Sequence, residues 1–119
     1  MSAQHRYESK VPESDAVVCN QTCEFVHGLV ANFSGEDAWI WLCDTGTKNA
    51  TKPDGVPLRI ANNDSRSIDQ EILNKRFSTG LYVLASRTPY AKDIIASTNA
   101  DTVLVTPATG FLFEFAVRV

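Results

Sequence analysis

Residues 111–119 read FLFEFAVRV. On an extended chain Phe111, Phe113, Phe115 and Val117 fall on one side, and Glu114, Ala116 and Arg118 on the other. Leu112 alone breaks the rule, an apolar residue on the polar side. Apolar–polar alternation in a β-branched and aromatic run is the signature of a half-buried strand, because successive side chains point to opposite faces.

The same period runs through residues 23–33, CEFVHGLVANF. Cys23, Phe25, His27, Leu29, Ala31 and Phe33 share one face, and Val26 and Val30 the other. Gly28 inside that run implies a bulge or a close approach of another group to the backbone. Residues 38–43, AWIWLC, form a continuous apolar run of strand length that ends at Asp44. A loop with turn chemistry at Pro53-Asp54-Gly55 follows. A short strand over residues 56–61 comes next, weakened by Pro57, and then a turn at Asn62-Asn63-Asp64. Residues 65–77 read as a short extended stretch with a loop, in preference to a single helical turn over 69–75. The run LYVLAS after Gly80 is a strand, and two short strands are expected at 92–96 and 102–105.

About eight short strands at a spacing of 8–12 residues, with turn signals between them, predict an all-β, antiparallel sandwich or barrel, of which the sandwich is the expectation adopted. No window carries apolar residues at helical spacing. The domain is expected over residues 16–119. Residues 1–15, MSAQHRYESKVPESD, carry charge and almost no apolar surface; they read either as a frayed tail or as an extended N-terminal arm that orders only against a partner, and the arm is the expectation adopted. At about 3.4 Å per residue such an arm reaches roughly 50 Å.

The chain has 119 residues with 44% hydrophobic and 21% charged, enough for one core without metal or disulfide staples. Eleven basic residues scattered among fourteen acidic ones give a net charge of −3, which argues against a nucleic-acid partner. No segment has the ~20 apolar residues of a membrane span. The polar N-terminus carries no apolar core of a signal peptide, so synthesis and folding in a cytoplasm are expected. Cys19, Cys23 and Cys43 are an odd set of thiols, as expected in a reducing compartment.

A structural zinc site wants four ligands in tight pairs. Cys19, Cys23, His5 and His27 do not make that pattern. Nucleophilic catalysis needs a nucleophile beside an oriented base, and His27 is the one strand-borne base. Glu36, Asp37, Asp44, Asp69 and Glu71 could pair as hydrolytic carboxylates, but acids near strand ends are commonplace. The six glycines are isolated in different loops, which excludes the phosphate-cradling fingerprints. The expectation is therefore a protein without cofactor or metal that works by binding other proteins rather than as an enzyme.

Trp39 and Trp41, two apart on a strand, share a face. Facing inward they are core, with Ile40 outward, and this reading is preferred. Facing outward they form an aromatic platform able to stack on sugars or on a protein. Either way one further apolar face of this strand is left to cover something.

The stretch from Trp39 to Ser86 carries a series of landmarks. These are Trp41-Leu42-Cys43-Asp44, Pro53-Asp54-Gly55-Val56-Pro57, Arg76-Phe77-Ser78-Thr79-Gly80-Leu81, a strand to Ala85-Ser86, and the aromatic strand at Phe111–Val117. In this the chain resembles small β-sandwich virion proteins encoded among the structural genes of tailed bacteriophages. The resemblance implies a jelly-roll-like sandwich without cofactor, located on the capsid surface of a virion assembled in the host cytoplasm. Its implied partners are the major capsid protein and further copies of itself, and its implied role is that of a decoration or cement subunit. The partner-binding residues expected are Tyr7, Val11 and Pro12 of the arm, with Trp39 and Trp41. The alternative is a small carbohydrate-binding or receptor-binding module of a tail or head fibre, using Trp39, Trp41 and Tyr82 or Tyr90 as stacking groups.

Overall fold

The computed structural model describes residues 4–47, 53–68, 75–86 and 110–119. Nine strands are present among these residues and no helix: β1 (Gln4–Glu8), β2 (Asp15–Cys19), β3 (Cys23–Asn32), β4 (Ala38–Cys43), β5 (Pro53–Ile60), β6 (Ser65–Ser67), β7 (Arg76–Phe77), β8 (Leu81–Ser86) and β9 (Phe111–Arg118). They form two antiparallel sheets. Sheet I has the order β1-β9-β3-β6, with β7 also on β3, and sheet II the order β2-β8-β4-β5.

The pairings β1 with β9, β2 with β8, β3 with β6 and β7, and β4 with β5 are nested. They are those of one long antiparallel ribbon whose tip is the β4–β5 connection. Rolling that ribbon brings β9 against β3 and β8 against β4. This is the jelly-roll way of closing two sheets from Greek keys, and it bears out the sandwich expected from the sequence.

The alternation of β9 does what its composition demands. Phe111, Phe113, Phe115 and Val117 are buried between the sheets, together with Phe25, Val30, Ile40, Leu42, Val83 and Ala85. The rings of Phe25 and Phe115 meet edge to face at 6.3 Å, an arrangement that aromatic quadrupoles favour.

Strand β3 does not keep one alternation throughout. Its register against β9 shifts between Phe25 and His27. This one-residue bulge flips every later side chain to the other face. Cys23 and Phe25 point inward, as expected, but after the bulge Gly28, Val30 and Asn32 are the inward residues. His27, Leu29 and Ala31 are half-buried and Phe33 is exposed. Gly28 also shows the close approach expected of it. A Cβ there would lie 2.6 Å from Phe115 Cε1 and 2.9 Å from Ile68 Cγ1.

Three further expectations are corrected. Residues 4–8 are not a free arm but the edge strand β1, in continuous register with β9 from Gln4↔Arg118 to Glu8↔Glu114. An edge strand draws its hydrogen bonds from its neighbour's backbone and needs little apolar surface of its own. Second, Pro53, Asp54 and Gly55 belong to β5, with Pro53 at the strand start opposite Cys43, where a missing N–H costs least. Third, Ile40 and not the Trp pair faces the inter-sheet core. The expected strands at 92–96 and 102–105, the residues 69–74, and Tyr90 lie outside the described residues.

Candidate functional site

The N-terminal segment after β1 is held from both sides. The Ser9 amide donates to the Phe113 carbonyl at 2.9 Å, and the Phe113 amide donates to Ser9 Oγ at 3.0 Å. Glu13 and Phe111 exchange two backbone bonds of 2.9 and 2.8 Å. The Tyr7 and Ser9 hydroxyls both donate to Glu13 Oε2. Burial, with the Glu13 carboxylate adding to it, pushes the Tyr7 phenol up to about 12. The loop between these anchors displays Val11, which is 66% exposed, and Pro12, also exposed.

Phe33 lies at the same end of sheet I, its amide donating to the Gly110 carbonyl at 2.6 Å, and it is 46% exposed. Beside it on the outer face Leu29, Ala31 and Leu112 line a shallow cavity of about 200 Å³ with Glu8 and Glu114 at its margin. The structure thus gathers Val11, Pro12, Phe33 and Leu112 at one end of one sheet, with Tyr7 behind them as the anchor that packs on the core. Phe33 was hidden in the sequence by the β3 bulge. Leu112, the apolar residue out of place in β9, was the visible signal.

Trp39 and Trp41 are elsewhere. They lie on the outer face of sheet II, in rows with Ser86 and Leu84. Trp41, Cys43, Tyr82 and Leu84 form a second buried cluster with Val17 against it. Trp41 is 3% exposed and Tyr82 2%, while Trp39 is half-buried. The polar ends are satisfied. Trp41 Nε1 donates to Ser86 Oγ at 2.8 Å, and the Tyr82 hydroxyl donates to Asp15 Oδ2 at 2.6 Å. The preferred reading of the Trp pair as inter-sheet core is corrected: the pair faces away from the main core, where Trp41 and Tyr82 are covered and Trp39 is half-buried.

Burial and the Asp15 carboxylate push the Tyr82 phenol well above the ordinary tyrosine value of 10. Because the folded state holds both phenols neutral, the stability they add is complete below pH about 10 and is lost as pH rises through their folded values. Tyr82→Phe should cost about 2 kcal/mol at neutral pH by stripping Asp15 of its phenol. It should also flatten the alkaline decline. Urea midpoints at pH 7 and at about pH 11 test both parts; parallel declines in the two proteins would refute the assignment.

The remaining candidates resolve into structural roles. Asp44 accepts backbone N–H bonds from Ser78, Thr79 and Gly80 at 3.1, 2.8 and 3.3 Å. Asp37 accepts the Asn62 amide and pairs with Arg59, which hold its carboxyl below the usual range. All three thiols are buried, and burial next to Cys19 pushes the Cys23 thiol up to about 12. Among the described residues no three His, Cys, Asp or Glu side chains converge to hold a metal ion. Asp69 and Glu71 lie outside the described residues. The chain matches no family model, no curated protein and no solved structure.

Proposed function

We propose that the chain is a non-enzymatic virion structural subunit that decorates or cements a capsid, binding the major capsid protein through the Val11–Phe33 end of sheet I. The observation that carries this reading is an apolar surface held rigidly outward. Val11 and Phe33 are the most exposed large hydrophobic residues among those described, and the backbone beneath them is pinned by Ser9, Glu13, Gly110 and Phe111. Preorganised apolar groups lose little entropy on binding and suit a contact surface.

The nested jelly-roll winding agrees, being an architecture of viral capsid domains as well as of lectins. Winding alone does not choose between those uses. The burial of Trp41 and Tyr82 weighs against the lectin. On a lattice with many copies, each contact can be modest and still hold.

Val11→Asp combined with Phe33→Asp should lower affinity for capsid shells by about tenfold or more. As surface changes, each should alter folding stability by only about 0.5 kcal/mol. Co-sedimentation with shells of a tailed phage and urea unfolding measure the two effects. A folded double variant that pelleted with shells as the unaltered chain does would overturn the reading.

A further inference from the structure

Among the described residues four strand edges bound the two sheets, and three are blunted. In sheet II, β2 carries a register shift between Val17 and Cys19, and β5 contains Pro53 and Pro57 and its pairing with β4 shifts register between Ile40 and Leu42. At the far side of sheet I, β6 and β7 are three and two residues long. Bulges, prolines, short lengths and edge charges are the usual means of preventing edge-to-edge pairing. Strand β1 has only charges, Arg6 and Glu8, and these are of opposite sign. Its five residues run in unbroken register with β9, contain no Pro or Gly, and leave Gln4, His5, Arg6 and Glu8 exposed.

The phase of its free hydrogen bonds is fixed. Ser9 donates to the Phe113 carbonyl, and residues of an antiparallel strand alternate in direction. His5, Tyr7 and Ser9 therefore turn their backbone groups toward β9. Gln4, Arg6 and Glu8 turn theirs outward.

The charges are also unbalanced in a specific way. Glu8 lies directly opposite Glu114, a like-charge pair that disfavours the sheet. One guanidinium, that of Arg6, serves Glu114 at 3.2 Å. Glu8 makes no ion pair among the described residues.

We infer that β1 pairs antiparallel with β1 of a second copy of this chain about a two-fold axis at Tyr7. That register sets Arg6 opposite Glu8 of the second copy, and Glu8 opposite its Arg6. Both are outward-pointing pairs, so the edge gains four N–H···O bonds. Each Glu8 receives a positive charge that it lacks among the described residues of its own chain. The competing two-fold register, centred on Arg6, would set Arg6 against Arg6. Charge thus selects the Tyr7 register, and the two copies of sheet I become one continuous sheet. The dimer does not depend on the capsid reading: the β1 edge borders the Val11–Phe33 end at Glu8, but the pairing rests on the outward backbone groups and charges of β1 and not on that apolar surface.

Sedimentation equilibrium tests this on the full chain. The mass should rise with concentration from 13.1 kDa toward twice that value. Glu8→Lys sets like charges opposite in both symmetric pairs and should weaken the dimer about thirtyfold, as should Arg6→Glu. An equimolar mixture of the two variants should dimerise again, since each strand then meets its opposite charge. Amide exchange gives a readout that does not need a variant. On concentrating the unaltered chain, the Arg6 and Glu8 amides should slow about tenfold while those of Tyr7 and Ser9 stay as they were. If Arg6→Glu does not fold, Glu8→Lys and the exchange pattern decide the matter. A mass that stays at the monomer value, outward amides indifferent to concentration, or a Glu8→Lys protein that dimerises normally would each overturn the inference.

Discussion

Phe115→Ala is expected to remove about 4 kcal/mol of folding free energy, the usual cost of deleting a fully buried aromatic ring. A domain of this kind is stable by only some 5–15 kcal/mol, so the variant should unfold at a markedly lower urea concentration. Phe115 is completely buried, meets Phe25 edge to face and Phe113 at 6.1 Å, and lies over Gly28. That last contact makes the prediction specific. Gly28→Ala alone should cost about 2 kcal/mol, because its methyl would sit 2.6 Å from the Phe115 ring. In a Phe115→Leu background most of that clash is gone, leaving the contact with Ile68. The double variant should therefore be more stable than the sum of the single costs predicts, by about 1 kcal/mol. Strictly additive costs in urea titrations would show that Gly28 is not there to receive the ring.

The same pair of residues explains how much of the fold could be read in advance. Strand β9 was legible because its aromatic residues all commit to one face and no bulge interrupts the period, Leu112 and Ala116 being the apolar residues on the other face. Strand β3 has an equally clear alternation, yet reading it straight through misplaced His27, Leu29, Ala31 and Phe33. Gly28 gave the hint of an irregularity, but a bulge displaces the register by one residue without marking which residue is extra. The position is settled by the partner strand, at the other end of the sequence, through the pairs Phe25↔Val117 and His27↔Ala116. Strand β4 failed for another reason. Strands β4 and β8 of sheet II are buried on both faces, and a strand buried on both faces reads as one continuous apolar run with no inward side written in it. The inward side is chosen by Ala85 and Leu58, which flank Ile40 in the sheet.

The candidate site shows the limits of composition. Val11 and Pro12 were expected at a contact surface and are exposed, but the segment that carries them is part of the sandwich. Sequence reasoning looks for apolar area able to offset the entropy of ordering. In residues 4–8 there is little of it beyond Tyr7. What orders this strand is the backbone ladder to β9 and the convergence of Tyr7 and Ser9 on Glu13, none of which leaves a compositional trace. Leu112 did leave one.

Asn32 offers the second large effect, and it bears on the same end of the molecule. Asn32 is fully buried at the end of β3, immediately before Phe33. Its Nδ2 donates to the carbonyls of Glu36, Ile60 and Ala61 at 2.8, 3.1 and 3.3 Å. Its Oδ1 accepts from the Ser34 amide and hydroxyl at 2.9 and 2.6 Å. One side chain of sheet I thereby ties down the chain leaving β5 of sheet II and shapes the turn that displays Phe33. Asn32→Ala should cost about 3 kcal/mol, since three carbonyls, the Ser34 amide and the Ser34 hydroxyl each lose a hydrogen bond together, the Ile60 carbonyl in a buried place. Asn32→Asp keeps the shape and the acceptor for Ser34 but aims a carboxylate oxygen at three carbonyls. The folded protein will hold that carboxyl protonated, so its folded pKa is raised above the unfolded value of about 3.9. A raised pKa means that folding binds a proton. Stability is then retained below pH about 3.9 and lost as pH rises toward the folded value, at up to about 1.4 kcal/mol per pH unit. The aspartate variant should approach the unaltered chain in acid and fall to the alanine variant or below at neutral pH. The alanine variant should track the unaltered chain at a constant deficit. Urea midpoints across the acid range distinguish the two curves, and an Asn32→Asp deficit that did not change with pH would mean that Nδ2 is not the group holding the two sheets together here.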